Sequence, residues 1–157
     1  MASLLDIAKR ITQSQADLLV KDTSFIPQDK LFWRPMGCAK TAGEILREIA
    51  QSNVEIAAAV KGASLSPEEE EIKKKAERAE SFAELSALVK QSADVVCRVL
   101  EGLTDADLER TRTMPWGAVY SLSEAVLLPA SHMTYHDGQI NYIQTLLGDA
   151  KFHWAGE

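Results

Sequence analysis

Four times in this chain a Ser or Thr is followed three residues later by an acidic side chain, at the head of an apolar run with helical period. These are Ser3-x-x-Asp6, Thr41-x-x-Glu44, Ser81-x-x-Glu84 and Ser121-x-x-Glu124. In such a box the hydroxyl accepts from an early backbone N–H, and the acid accepts from the N–H of the capping residue itself. Donors that a helix start would otherwise leave orphaned are thereby satisfied. The Asp6 version is the weakest, because Asp is shorter than Glu. Gly62, Gly102 and Gly148 fall where a residue in the left-handed region would close a helix. Starts and stops together predict helices over about 4–22, 42–61, 82–101 and 122–147.

Each run has one apolar side. Ala42, Ile45, Ile49, Asn53, Ile56 and Val60 share a stripe, with Glu44, Arg47, Gln51 and Glu55 opposite. Phe82, Leu85, Val89, Ala93, Val96 and Leu100 repeat the pattern. In the last run Leu122, Val126, Pro129, Met133, His136, Ile140, Ile143 and Leu147 step by threes and fours. Helices that bury one side against each other make a bundle. Pro129 removes a backbone hydrogen bond and should kink the last helix.

The connections, about 18 residues each, are longer than bundle loops usually are. Thr23 to Lys40 carries Phe25, Pro27, Phe32, Trp33 and Pro35 and is expected to fold back over the bundle end. The second connection holds a short helix near 67–78, with Ser66 as cap, Pro67 in its first turn and Glu69/Lys73, Glu70/Lys74 and Glu71/Lys75 as surface pairs. In the third, Met114-Pro115-Trp116-Gly117 is an aromatic turn that lines a pocket mouth or caps the core. All 157 residues fit one domain.

Composition excludes more than it identifies. With 23 acidic against 17 basic residues, the chain lacks the basic stripe that releases counterions from nucleic acid. The lysine run 73–75 follows Glu68 to Glu71 and is neutralised by it. No segment has the 18 or so continuous apolar residues of a membrane helix, and residues 1–10 lack a signal-peptide core. Cys38 and Cys97, far apart and outside any CxxC, fit a reducing cytoplasm as small, partly buried side chains.

Chemistry concentrates in Ser131-His132-Met133-Thr134-Tyr135-His136-Asp137-Gly138-Gln139-Ile140, which holds two of the three histidines. Residues four apart on a helix are stacked neighbours, so two imidazoles there can turn nitrogens to one divalent ion. The bland alternative is one histidine packed in the core and one at its edge. His136 lies at the centre of the apolar stripe and His132 at its margin, so at least one ring is desolvated and needs partners for its nitrogens. Tyr135, Asp137 and Gln139 are nearby polar candidates, each equally able to serve only surface contacts.

The pattern His132-x-x-x-His136-Asp137-Gly138-Gln139-Ile140, followed by Gly148, resembles the last helix of the DinB-like (DinB/YfiT) superfamily. Thr41-Ala42-Gly43-Glu44-Ile45-Leu46-Arg47-Glu48-Ile49 is similar to its second helix, and Trp116-Gly117 to its pre-helix turn. The resemblance covers nearly the whole chain. It implies an all-α four-helix bundle of up-down-down-up connectivity, a homodimer, and a divalent metal on three histidines. It also implies transfer of thiol cofactors to or from small molecules. The family's first histidine falls at position 48, where this chain has Glu48; His153, in the C-terminal tail, does not match.

Glu48 admits two readings. Two histidines and a carboxylate form a recognised set for zinc or iron, with positions left open for water or substrate. Glu48 also lies at the margin of its stripe, where it could join Glu44, Gln51 and Glu55 in solvent. The first reading makes the chain a metal-dependent transferase or hydrolase acting on a small molecule with a low-molecular-weight thiol, its ion Zn, Ni, Fe or Mn on Glu48, His132 and His136. The second makes it a non-catalytic ligand-binding or dimerising bundle with a degenerate site.

Overall fold

The computed structural model describes residues 2–151 and 153, so the extreme ends of the expected 1–157 domain lie outside the described residues. Four long helices carry the fold: α1 (Leu4–Thr23), α2 (Ala42–Lys61), α4 (Phe82–Glu101) and α6 (Leu128–Leu146). Between them lie α3 (Pro67–Arg78), a hairpin of β1 (Thr111–Thr113) and β2 (Val119–Ser121), and a single-turn helix α5 (Leu122–Ala125). Both hydrogen bonds of the box form at Ser3, Thr41, Ser81 and Ser121, and again at Ser66 with Glu69. The Asp6 box is stretched, its Ser3 N–H reaching the carboxylate at 3.4 Å.

α1 packs against α4 and α6, and α2 packs against the same two helices. Side-chain contacts fix their directions. Lys90 pairs with Asp17, and Gln13 bonds Asp94, so α1 and α4 run antiparallel. Thr134 bonds Gln15, and Asn141 bonds Asp22, so α1 and α6 run parallel. Arg47 reaches the Ala79 carbonyl and Asn53 meets Ser92, so α2 runs parallel to α4. The connectivity is therefore up-down-down-up, made possible by α3, which returns the chain from the end of α2 to the level of its start. The apolar stripes of α2 and α4, including Ile45, Ile49, Val60, Leu85, Val89 and Leu100, meet in the core.

Several expectations change in detail. The last helix is two pieces, because the break falls one turn ahead of Pro129. A proline ring crowds the carbonyl four residues before it and offers no N–H to it; that carbonyl belongs to Ala125, where α5 ends. Gly102 has φ −80 rather than a left-handed value, whereas Gly62 (φ 74) and Gly148 (φ 97) are left-handed. Of the three surface pairs on α3, Glu71–Lys75 forms at 3.5 Å. Lys73 turns instead to Glu55 of α2 at 2.6 Å, and the buried Glu69 pairs with Lys61 at 3.4 Å. Cys97 is half-buried, but Cys38 is exposed.

The long connections do fold over the bundle. Ile26 and Leu31 are buried, and the Phe32 ring lies against Gly43 and under the Arg47 guanidinium, 4.7 Å from its centroid. The aromatic turn closes the hairpin, with Met114 in the core and Trp116 exposed, edge-on to Tyr120. The hairpin pairs Thr111 with Ser121, so its second strand delivers the capping residue of α5. No described helix is long and apolar enough to cross a membrane.

Candidate metal centre

α2 and α6 run antiparallel, and this lays Glu48 opposite the two histidines. Glu48 Oε1 is 3.6 Å from His136 Nε2 and 3.8 Å from His132 Nε2, and the two Nε2 atoms are 2.9 Å apart. Among the described residues this is the one group of three that could converge on an ion. Nitrogen and oxygen ligands on a tetrahedral ion at 2.0–2.1 Å stand about 3.3 Å from one another. The observed separations bracket that value. The His136 side chain is 2% exposed, His132 25% and Glu48 34%, so the trio sits at the core's edge with its Glu48 and His132 side towards solvent.

Hydrogen bonding sets the tautomer of His136. Its Nδ1 lies 2.7 Å from Gln139 Oε1, and Gln139 Nε2 donates to the Tyr135 hydroxyl at 3.1 Å. An amide oxygen can only accept, so Nδ1 carries the proton and Nε2 presents a lone pair towards Glu48 and His132. This is the outer support that ligating histidines ordinarily have. His132 is less complete: its buried Nδ1 has no partner among the described residues. Burial holds both imidazoles below the ordinary histidine pKa, for His132 with the neighbouring His136 adding to it; in His136 the Gln139 bond and Glu48 oppose it in part. Both rings are thus neutral near pH 7, the form a metal requires.

Burial would raise the Glu48 carboxyl. The Lys40 hydrogen bond and ammonium charge, joined by His136 and His132 when those rings are protonated, outweigh it and hold the group below the usual carboxylate range. Lys40 Nζ is bonded to Oε2, the oxygen that does not face the histidines. The Glu48 carboxylate thus has one oxygen turned to the imidazoles and the other to Lys40.

The residues present therefore fit a divalent ion, in donor type, separation and protonation. His153 stands apart, bonded to Asp149 at 2.9 Å and stacked on Phe25. Lys40 had no sequence signal, since it precedes the cap of α2 and shares no periodicity with Glu48. Asp137, a polar candidate that could equally have served only surface contacts, is buried, facing α1, where it meets the buried Asp22. Asn141 Nδ2 donates to the Asp137 carbonyl at 2.8 Å and to the Asp22 carboxylate at 3.0 Å, and more weakly to the Asp137 carboxylate at 3.4 Å. Burial and the nearby Asp22 carboxylate push Asp137 up to about 7. Larger clefts of 410–480 Å³ lie beside α3, the hairpin and the end of α6, and none includes a member of the trio.

The fold and the two-histidine helix define a class of metal-associated helical bundles. The sequence profile of the DinB superfamily matches residues 10–140, and the chain belongs to that superfamily. Its fold is similar to a DinB-like protein, YjoA, from Bacillus subtilis, with TM-score 0.71 and 18% identity over 94% of this chain and 96% of that one. It is also similar to the mycothiol-dependent maleylpyruvate isomerase, with TM-score 0.66 and 12% identity. That alignment covers 89% of this chain and 63% of the isomerase. No curated protein matches the sequence significantly.

Proposed function

We propose that the chain is a metal-dependent enzyme that binds a divalent ion on Glu48, His132 and His136 and uses it in thiol-dependent chemistry on a small molecule. The observation that carries this reading is the convergence of one carboxylate oxygen and two Nε2 atoms at ligand separation. A thiol co-substrate is supported by the mycothiol dependence in the name of a structural neighbour. When bound, a divalent ion supplies Lewis acidity, lowering the pKa of a thiol or water so that a nucleophile exists at neutral pH. His136 is held in its metal-competent tautomer by Gln139. Lys40 fixes one oxygen of Glu48 and leaves the other turned to the histidines. His132 and Glu48 form the solvent side, where a substrate would approach. A homodimer in a reducing cytoplasm completes the proposal, and light scattering on the purified protein checks the dimer.

A specific feature favours the non-catalytic alternative. Glu48 already has a cation in Lys40, and the two imidazoles can satisfy each other with one N–H···N bond. Metal analysis of protein purified without a histidine tag separates the readings. One ion per chain, lost in Glu48→Gln while the circular dichroism spectrum is kept, is the expected result. Metal-free protein that takes up no Zn²⁺, Ni²⁺, Fe²⁺ or Mn²⁺ in calorimetry refutes the enzyme reading.

A further inference from the structure

Between the loop before α2 and the outer face of α6 lies a cavity of about 330 Å³. Its walls include Ile45, Tyr135, Gln139, Tyr142 and Ile143, and one cationic side chain, Lys40. The size is at the small end of ligand pockets. Two wall residues also touch the trio: Gln139 bonds His136, and Lys40 bonds Glu48. The cavity therefore lies next to the candidate metal centre.

Lys40 is held in place and retains donors to spare. Arg34 bonds the Ala39 carbonyl and also Glu44, pinning the loop immediately before Lys40. An ammonium has three N–H donors; Glu48 accepts from one, and the side chain is still 46% exposed. Glu48 and Lys40 cancel in charge, and an imidazole that ligates an ion is neutral, so a divalent ion adds two uncompensated positive charges beside an apolar-walled cavity. Such a site attracts an anion and rejects a cation. A single point charge and apolar walls suit a carboxylate with an apolar body, whereas a phosphate dianion would call for more donors.

We infer that this cavity is a carboxylate subsite, in which Lys40 holds the anionic end of a small molecule and Ile45, Tyr135 and Tyr142 pack its apolar part next to the ion. The inference rests on the metal-enzyme reading and names its ligand class. The carboxylate can belong to the acceptor substrate or to the thiol co-substrate.

The test is calorimetric titration of zinc-loaded protein, its metal content measured, with benzoate and with its neutral near-isostere benzamide. Benzoate is expected to bind at least tenfold tighter. Lys40→Met should abolish that preference, Lys40→Arg should keep it, and Tyr142→Ala should weaken benzoate while leaving zinc content unchanged. Titration with 3-mercaptopropionate and 3-mercaptopropanol separates the sources. A carboxylate preference larger in the thiol pair assigns the subsite to the co-substrate, and one larger in the benzoate pair assigns it to the acceptor. Equal affinity within both pairs, or a preference that survives Lys40→Met at full zinc content, overturns the subsite and leaves the metal reading standing. Wild-type protein that takes up no zinc overturns both.

Discussion

His136 and His132 differ in what surrounds them, and their variants should differ accordingly. His136→Ala removes a ring that is nearly fully enclosed, so a stability loss of about 2–4 kcal/mol is expected with loss of metal binding. His132→Ala, on a ring one quarter exposed, should weaken metal binding at a smaller cost of about 1 kcal/mol. Denaturant unfolding and calorimetry on both variants check this; equal stability losses would contradict the assigned burial. Asp137 makes a pH prediction. Its folded pKa, about 7, lies above the ordinary 3.8, so the native state binds more protons between those values and stability falls as pH rises through that window. Asp137→Asn removes the charge that burial opposes. It should raise the melting temperature at pH 8 and much less at pH 5. The histidines act in the opposite sense, since their lowered pKa values withdraw stability as pH falls below the ordinary 6.5.

At the scale of elements, boundaries follow from backbone chemistry that neighbouring residues carry. The boxes start helices because hydroxyl and acid lie within one turn of the donors they satisfy. Gly62 ends α2 because φ 74 burdens any residue with a Cβ, and because a Cβ there would lie 2.9 Å from the Arg112 guanidinium. Gly62→Ala is therefore expected to cost about 1–2 kcal/mol in chemical denaturation. A neutral or stabilising effect would mean that α2 ends differently. The hairpin escapes sequence reading because three-residue strands are too short to show alternation. The division of the last helix was half legible: Pro129 announced a disturbance, but its steric partner, the Ala125 carbonyl, sets the position.

The whole molecule brings α2 and α6 together only because α3 returns the chain and makes α2 and α4 parallel. The trio is thus assembled from two helices more than 80 residues apart in sequence, and an ion bound there ties them in the native state alone. By linkage, free Zn²⁺ at about 100 times its Kd should stabilise the fold by about 2.7 kcal/mol. For a chain of this size that is a rise in melting temperature of roughly 5–10 °C, reversed by chelator. Scanning calorimetry with and without EDTA measures it, and no shift in Zn²⁺, Ni²⁺ or Mn²⁺ would speak against the site.

The sequence by itself determined the helices, their buried faces and the histidine pair, because each is written within one or two turns of chain. Position 48 was legible as a candidate, yet its direction was not. A residue at the margin of an apolar stripe points to core or solvent according to what lies across from it. Only the tertiary structure set Glu48 opposite His132 and His136, brought Lys40 to its outer oxygen and buried Asp137 against Asp22. Those contacts join residues between 8 and 115 positions apart, with no period to link them, and packing alone decides which charged groups lose their water.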